Sequence, residues 1–190
     1  MFLRRSIMFR DRTVVLAVTG GIAAYKSASI VRDLKASDSE VLVIMTREAT
    51  EFITPLTLET LSQNPVAVEM FDRDNKWELE HIALADRADI LIVAPATANI
   101  IGKMTCGIAD DLVSTTILTM MTTVPVLMAP AMNSRMWDNP FVKNNIAELR
   151  KAGVHFVGPE EGKLADGRIG MGRMAEVEEI LNAAKEVIRN

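Results

Sequence analysis

Four short, unbroken apolar runs constrain the fold of this chain: Val14–Val18, Val41–Met45, Ile90–Ala94 and Val124–Ala129. A run without polar alternation has no face to offer water, so each reads as a strand covered on both sides. Helix-compatible segments lie between them. One runs from Ala23 to Ala36 after the first strand. Thr54-Pro55 reads as an N-cap with proline at the first helical position, and Asn139-Pro140 opens a helix that runs to Ala152 and stops at Gly153. His155–Val157 reads as a last strand and Ala175–Ile188 as a closing helix. This alternation predicts an α/β fold of three layers, a doubly wound parallel sheet joined by right-handed crossovers. No repeat, low-complexity tract or linker divides the 190 residues, so 1–190 is expected to form a single domain.

Charge and composition narrow the function. With 21 basic against 25 acidic residues the net charge is −4, which argues against a nucleic-acid partner or an anionic membrane surface. A single cysteine, Cys106, and two histidines exclude a disulfide framework and disfavour a metal site. The stretch Leu112–Ser134 carries no charge over 23 positions, long enough to cross a bilayer. Its serines and threonines, with Pro125 and Pro130, fit a buried helix, a turn and a buried strand better. The N-terminus lacks an apolar run long enough for a signal peptide, and the expected compartment is the cytoplasm.

Two regions carry candidate chemistry. In an open parallel sheet, ligands bind beyond the carboxyl ends of the strands. The residues there are Thr19-Gly20-Gly21, Thr46, Pro95–Asn99 and Pro130–Asn133, a small, hydroxylated and amide-bearing set. Two glycines after the first strand let backbone N–H groups approach an anion, although Gly-Gly also simply makes tight turns. Gly20-Gly21 is not the G-x-G-x-x-G of a dinucleotide site, and no acid follows the second strand to hold a ribose; Arg47 keeps an NADP-linked enzyme as a minor alternative. A cofactor with a linear polyol and terminal phosphate, such as FMN, needs no such acid. The second region is 158–174, where five of the ten glycines fall between Gly158 and Gly172; it is expected to be a mobile flap over the ligand site.

The blocks Thr19–Lys26, His81–Asp89, Ala94–Asn99 and Ala129–Trp137, in that order, closely resemble the homo-oligomeric flavin-containing cysteine decarboxylases, in particular their phosphopantothenoylcysteine branch. The resemblance runs from Val14 to Ile188. It implies a flavodoxin-like (Rossmann-type) fold and FMN bound between subunits of a trimer, often built further into dodecamers. By the same resemblance, Gly20, Gly21 and Ile22 match the phosphate-cradling turn, and Thr46 and Phe52 match flavin contacts. Thr97, Ala98 and Asn99 match the block along the cofactor, His81 the active-site histidine, and Met132 and Asn133 the residues that hold the substrate carboxylate.

The reaction implied is FMN-dependent decarboxylation of 4′-phosphopantothenoylcysteine to 4′-phosphopantetheine in coenzyme A biosynthesis. Oxidation of the cysteinyl side chain to a thioaldehyde provides the electron sink that an ordinary cysteine amide lacks, and the flavin carries this redox chemistry. His81 would transfer protons near neutral pH, and Asn133 would bind the carboxylate without a fixed charge that resists CO2 loss. The chain departs from the family at the flap, where Ala165-Asp166-Gly167 stands in place of Ala-Cys-Gly. Asp166 would then replace the thiol as proton donor if desolvation raises its pKa. Two alternatives stay open: an oxidative decarboxylase that stops at the enethiol, and a non-catalytic flavin-binding regulatory subunit. At least one of Lys163, Arg168 and Arg173 is expected to meet the substrate phosphate. A phosphopantothenate–cysteine ligase is expected as a separate domain or protein.

Overall fold

The computed structural model describes residues 9–70, 80–165 and 167–189, with 80–83 as helix backbone. Six parallel strands form the central sheet: β1 (Thr13–Val18), β2 (Glu40–Met45), β3 (Val66–Ala67), β4 (Ile90–Ala96), β5 (Val126–Pro130) and β6 (His155–Phe156), in the order β3-β2-β1-β4-β5-β6. Setting aside the two-residue edge strand β3, the remaining strands follow the flavodoxin-type order 2-1-3-4-5. The winding reverses between β1 and β4, where Leu16 lies level with Ile92. The helices are α1 (Ser27–Lys35), α2 (Pro55–Ser62), α3 (Glu80–Arg87), α4 (Ala98–Cys106), α5 (Leu112–Met120), α6 (Ser134–Trp137), α7 (Pro140–Lys151) and α8 (Val177–Arg189).

Two hydrophobic layers explain the unbroken runs. Val14, Leu16 and Val18 of β1 enter one layer with Ile30 and Leu34 of α1, Leu58 of α2 and Ile180 of α8. Val15 and Ala17 enter the other with Leu84 of α3, Ile101 of α4, Ile117 of α5 and Leu149 of α7. All five of these β1 residues are 0% exposed, so alternate side chains serve opposite faces and neither face can be polar. Burying each such Val or Leu side chain contributes on the order of 1.5–3 kcal/mol against the entropy of ordering the chain.

Local signals set the helix starts. Thr54 caps α2 by accepting from the Thr57 N–H, with Pro55 next, and Asn139 does the same for α7 through the Phe141 N–H. Asp111 opens α5 with a capping box: its carboxylate accepts from the Ser114 N–H, and the Ser114 hydroxyl accepts from the Asp111 N–H. The charge-free stretch is thus a helix, a turn and a strand. Among the described residues no helix is long and apolar enough to cross a membrane.

Three expectations need correction. The first turn after β1, Ile22–Lys26, is a 3-10 helix, and α1 proper starts at Ser27. β4 does not stop at Pro95 but continues to Ala96, which pairs with Pro130 after a register shift, since a proline without an N–H interrupts the ladder. The segment 158–174 is not an irregular loop: β7 (Glu160–Lys163) and β8 (Ile169–Arg173) form an antiparallel hairpin, so β6 is not the last strand.

Candidate functional site

The crevice at the carboxyl ends of β1 and β4 is closed by hydroxyls. The Thr19 hydroxyl, 2% exposed, donates to the Pro95 carbonyl at 2.7 Å and accepts from the Thr97 N–H at 3.3 Å. One helix further on, the Ser27 hydroxyl donates to the Ala94 carbonyl at 3.0 Å. These bonds tie the turn after β1 to the turn after β4, where a doubly wound sheet opens toward ligands.

Of the four turns at this edge, three use their own side chain to satisfy the following helix. Thr46 accepts from the Ala49 N–H, Thr97 from the Ile100 N–H and Asn133 from the Arg135 N–H. The turn after β1 is different. Its N-cap is Gly21, which brings no side-chain acceptor to the 3-10 helix Ile22–Lys26. The amides ahead of Ala24, whose own N–H donates to the Gly21 carbonyl, therefore retain donor capacity for an outside acceptor. Gly20 keeps this turn close to the β2 end, because a Cβ there would lie 2.4 Å from the Glu48 Cβ.

The opposite wall is the hairpin. The Met132 N–H donates to the Gly172 carbonyl at 3.0 Å, and a Cβ on Gly172 would lie 2.1 Å from the Met132 carbonyl oxygen. Gly172 also has φ +143°, a conformation that favours glycine. β8 is thereby laid against the Met132–Asn133 turn, with Gly170 close to Ser134 of α6.

A charge network fastens the hairpin to α8. The Arg173 guanidinium meets Glu160 across the strands at 2.5 Å and Glu176 at 3.0 Å. Lys26 Nζ donates to the other oxygen of Glu176 at 3.1 Å and to the Met174 carbonyl at 3.3 Å. Glu160 and Glu179 share a hydrogen bond that holds the first carboxyl below its ordinary range and pushes the second above it. Outside the network, Lys103 lies 2.6 Å from both Asp110 and Asp111. Its burial pulls the ammonium pKa down, but the two carboxylates outweigh this and raise it.

These walls enclose a cavity of about 870 Å³. It is lined by Gly20, Gly21, Ile22, Thr46, Thr97, Ala98, Asn99, Met132 and Asn133, each singled out from the sequence. Phe52 is not among the lining residues; it caps the 3-10 helix Arg47–Glu51 and is 45% exposed. His81 lies on the first turn of α3, with its side chain outside the description, and Asp166 lies outside the described residues. The lining also includes Lys26, Glu48, Asp111, Lys163, Arg173 and Glu176, for which the sequence reading found no place in the site, apart from Lys163 and Arg173 as phosphate candidates. Arg47 does not line it: Glu69 grips its guanidinium twice at 2.6 Å, which removes the proposed partner for an NADP 2′-phosphate. Among the described residues no cluster of metal-ligating side chains occurs.

The sequence pattern of a family described as Flavoprotein matches residues 4–189. The chain belongs to the flavoprotein family. Its cofactor class is therefore a flavin. This flavoprotein is 46% identical over 94% of its length to the coenzyme A biosynthesis bifunctional protein CoaBC of Bacillus subtilis (strain 168), of which it covers 44%. The chain thus spans less than half the length of such bifunctional relatives. It is 40% identical over 92% of its length to a protein named probable phosphopantothenoylcysteine decarboxylase from Streptococcus mutans serotype c, of which it covers 98%. Among solved structures, a PPC decarboxylase mutant complexed with pantothenoylaminoethenethiol matches 95% of the flavoprotein with 100% of its own chain (TM-score 0.83, 30% identity). The FMN-binding protein AtHal3 matches 93% with 96% of its own chain (TM-score 0.76, 29% identity).

Proposed function

We propose that this flavoprotein binds FMN and decarboxylates 4′-phosphopantothenoylcysteine to 4′-phosphopantetheine and CO2, a step in coenzyme A biosynthesis. The observation that carries the reading is a single cavity joining the uncapped Gly20–Ile22 turn to Asn133 and to the hairpin. The names of the Bacillus and Streptococcus relatives and of the PPC decarboxylase neighbour support the substrate.

The residues present fit FMN. Donor-rich amides at the Gly20–Ile22 turn suit a terminal phosphate, and the space beside Gly20 is kept by the missing Cβ. Thr97, Ala98 and Asn99 would lie along the ring and polyol, with Thr46 and Met132 at the other strand ends. When bound, the flavin supplies the two-electron oxidation that places an electron sink beside the departing carboxylate.

The chain's own side chains would do the rest. Asn133 Oδ1 accepts the Arg135 N–H at 2.8 Å, which orients the amide so that its Nδ2 end is the donor toward a substrate carboxylate. An amide binds the carboxylate without the charge that would hold CO2 back. His81 is proposed as the proton-transfer residue, since an imidazole titrates near neutral pH. Asp166 is proposed as the donor of the proton that, together with the two electrons the flavin would return, completes the saturated thiol.

The chain is further proposed to act as a homo-oligomer, a trimer or an assembly of trimers. Ile22 and Tyr25, on the cavity wall, are each 60% exposed, and apolar side chains there favour a covering neighbour.

Mass spectrometry of the product formed anaerobically from phosphopantothenoylcysteine tests the reading. A saturated thiol supports it, a product two hydrogens lighter indicates the oxidative enethiol-forming enzyme, and unchanged substrate indicates a regulatory flavin binder. Replacing Asp166 with Ala should shift the product toward the lighter species while leaving the flavin bound.

A further inference from the structure

The cavity wall carries three cations among the described residues, and they are not equivalent. Lys26 is held by Glu176 and the Met174 carbonyl, with only 12% of its side chain exposed. Arg173 is held by Glu160 and Glu176, and Gly162 leaves room for it: a Cβ at 162 would lie 2.8 Å from Arg173 Nε. These two cations and the Glu160 and Glu176 carboxylates form an ion-paired cluster. Such a cluster fastens elements together and offers little net attraction to an incoming anion.

Lys163 differs on each point. It ends β7, opposite Ile169 in the hairpin, and is exposed. It forms no ion pair among the described residues. It is followed by Leu164 and Ala165, which also line the cavity, so its place on the wall is continuous with the hairpin tip. Arg168, on the far side of that tip, is not a lining residue. Among the described residues, Glu48 is the wall's one acid without an ion pair; it stands on the turn after β2 with its Cβ against the Gly20 position, on another element from Lys163.

We infer that Lys163 determines substrate specificity by pairing with the terminal phosphate of the substrate, selecting phosphorylated over unphosphorylated pantothenoylcysteine. This inference rests on the substrate proposed above. The Gly20–Ile22 turn has amide donors and serves the cofactor's phosphate; Lys163 brings a mobile point charge, suited to a second phosphate whose position varies as the substrate enters. Because the ammonium is solvated before binding, the pair acts on affinity and leaves the chemical step unchanged.

The test compares the flavin-loaded wild type with K163Q and K163R, using 4′-phosphopantothenoylcysteine and its dephosphorylated analogue. CO2 release gives KM and kcat; calorimetric binding of both compounds gives affinity without turnover. For K163Q, loss of a charge-assisted contact should raise KM for the phosphorylated compound roughly tenfold to a hundredfold. Its kcat should stay within about twofold, the analogue should be unaffected, and K163R should restore discrimination. Equal effects on both compounds, or none, overturn the inference. If the wild type releases no CO2 but binds the phosphorylated compound more tightly, and K163Q abolishes that preference, the substrate reading fails in its chemistry and the role of Lys163 stands. Equal binding of both compounds by the wild type overturns it.

Discussion

The Met132 amide donates to the Gly172 carbonyl at 3.0 Å, while the Met132 carbonyl lies where a Cβ of residue 172 would be. One residue pair thus fixes the hairpin against the turn that carries Asn133. G172A must move the strand or strain its backbone at φ +143°. A loss of about 1–3 kcal/mol in stability is expected from the backbone alone. Chemical denaturation measures it, and product formation should fall with it because the cavity wall is displaced. A variant as stable and active as the wild type would contradict the close approach.

Gly20 and Gly21 should respond differently to the same added methyl. At 20 the new atom would meet the Glu48 Cβ at 2.4 Å, whereas at 21 the nearest atom is Thr97 Cγ2 at 3.6 Å, an ordinary contact. G20A is expected to lower the melting temperature by several degrees, as about 1–3 kcal/mol of overpacking does in a chain of this size. G21A should melt within about a degree of wild type, since surface-compatible changes lie within about 0.5 kcal/mol. Thermal melts of the flavin-free proteins separate the two.

Asn133 both caps α6 and lines the cavity, so Asn133→Ala would confound two losses. Asn133→Asp retains the cap acceptor and reverses the electrostatics toward a substrate carboxylate. Its stability should match the wild type, while kcat/KM falls by roughly a hundredfold or more, the scale of removing one oriented donor and adding repulsion. Steady-state CO2 release alongside a melt checks both halves.

The Glu160–Glu179 pair predicts a pH effect of definite sign. The Glu179 carboxyl is raised by its hydrogen bond to Glu160, so its contribution is complete below the ordinary carboxyl pKa and fades as pH rises through its native value. Glu160 is lowered, so its contribution is present above the ordinary value and is lost only in stronger acid. E179Q keeps a donor at every pH. The melting temperature of E179Q relative to wild type should therefore increase from about pH 4 to about pH 7, across the usual carboxyl range. A constant difference would refute the shared bond.

Much of the sheet was legible because parallel strands buried on both faces are written as uninterrupted apolar runs. The caps at Thr54 and Asn139 were legible for the same local reason: the side-chain acceptor and its backbone N–H donor lie within one turn. The hairpin was not. Gly170 and Gly172 contribute no side chain to a period-two pattern, and β7 reads Glu-Glu-Gly-Lys. Its strand character is set by the Met132 contact and by Arg173 crossing to Glu160, both of them tertiary. Pro95 misled in the opposite sense, because a residue that normally punctuates a run is here carried inside β4 by pairing of Ala96 with Pro130. Within the site, motif residues at the strand ends could be assigned from the sequence. Lys26 and Glu176 could not, since each owes its position to partners on other elements.

The cavity draws on residues near both ends of the sequence, from Thr19 to Glu176. During synthesis the sheet strands β1, β2 and β4 emerge long before Gly172 and Arg173 leave the ribosome. A chain ending before the hairpin would lack one wall of the cavity, leaving the strand-end turns as an open shelf. Flavin retention is therefore expected to demand the chain through Glu176, the last residue to reach the cavity wall.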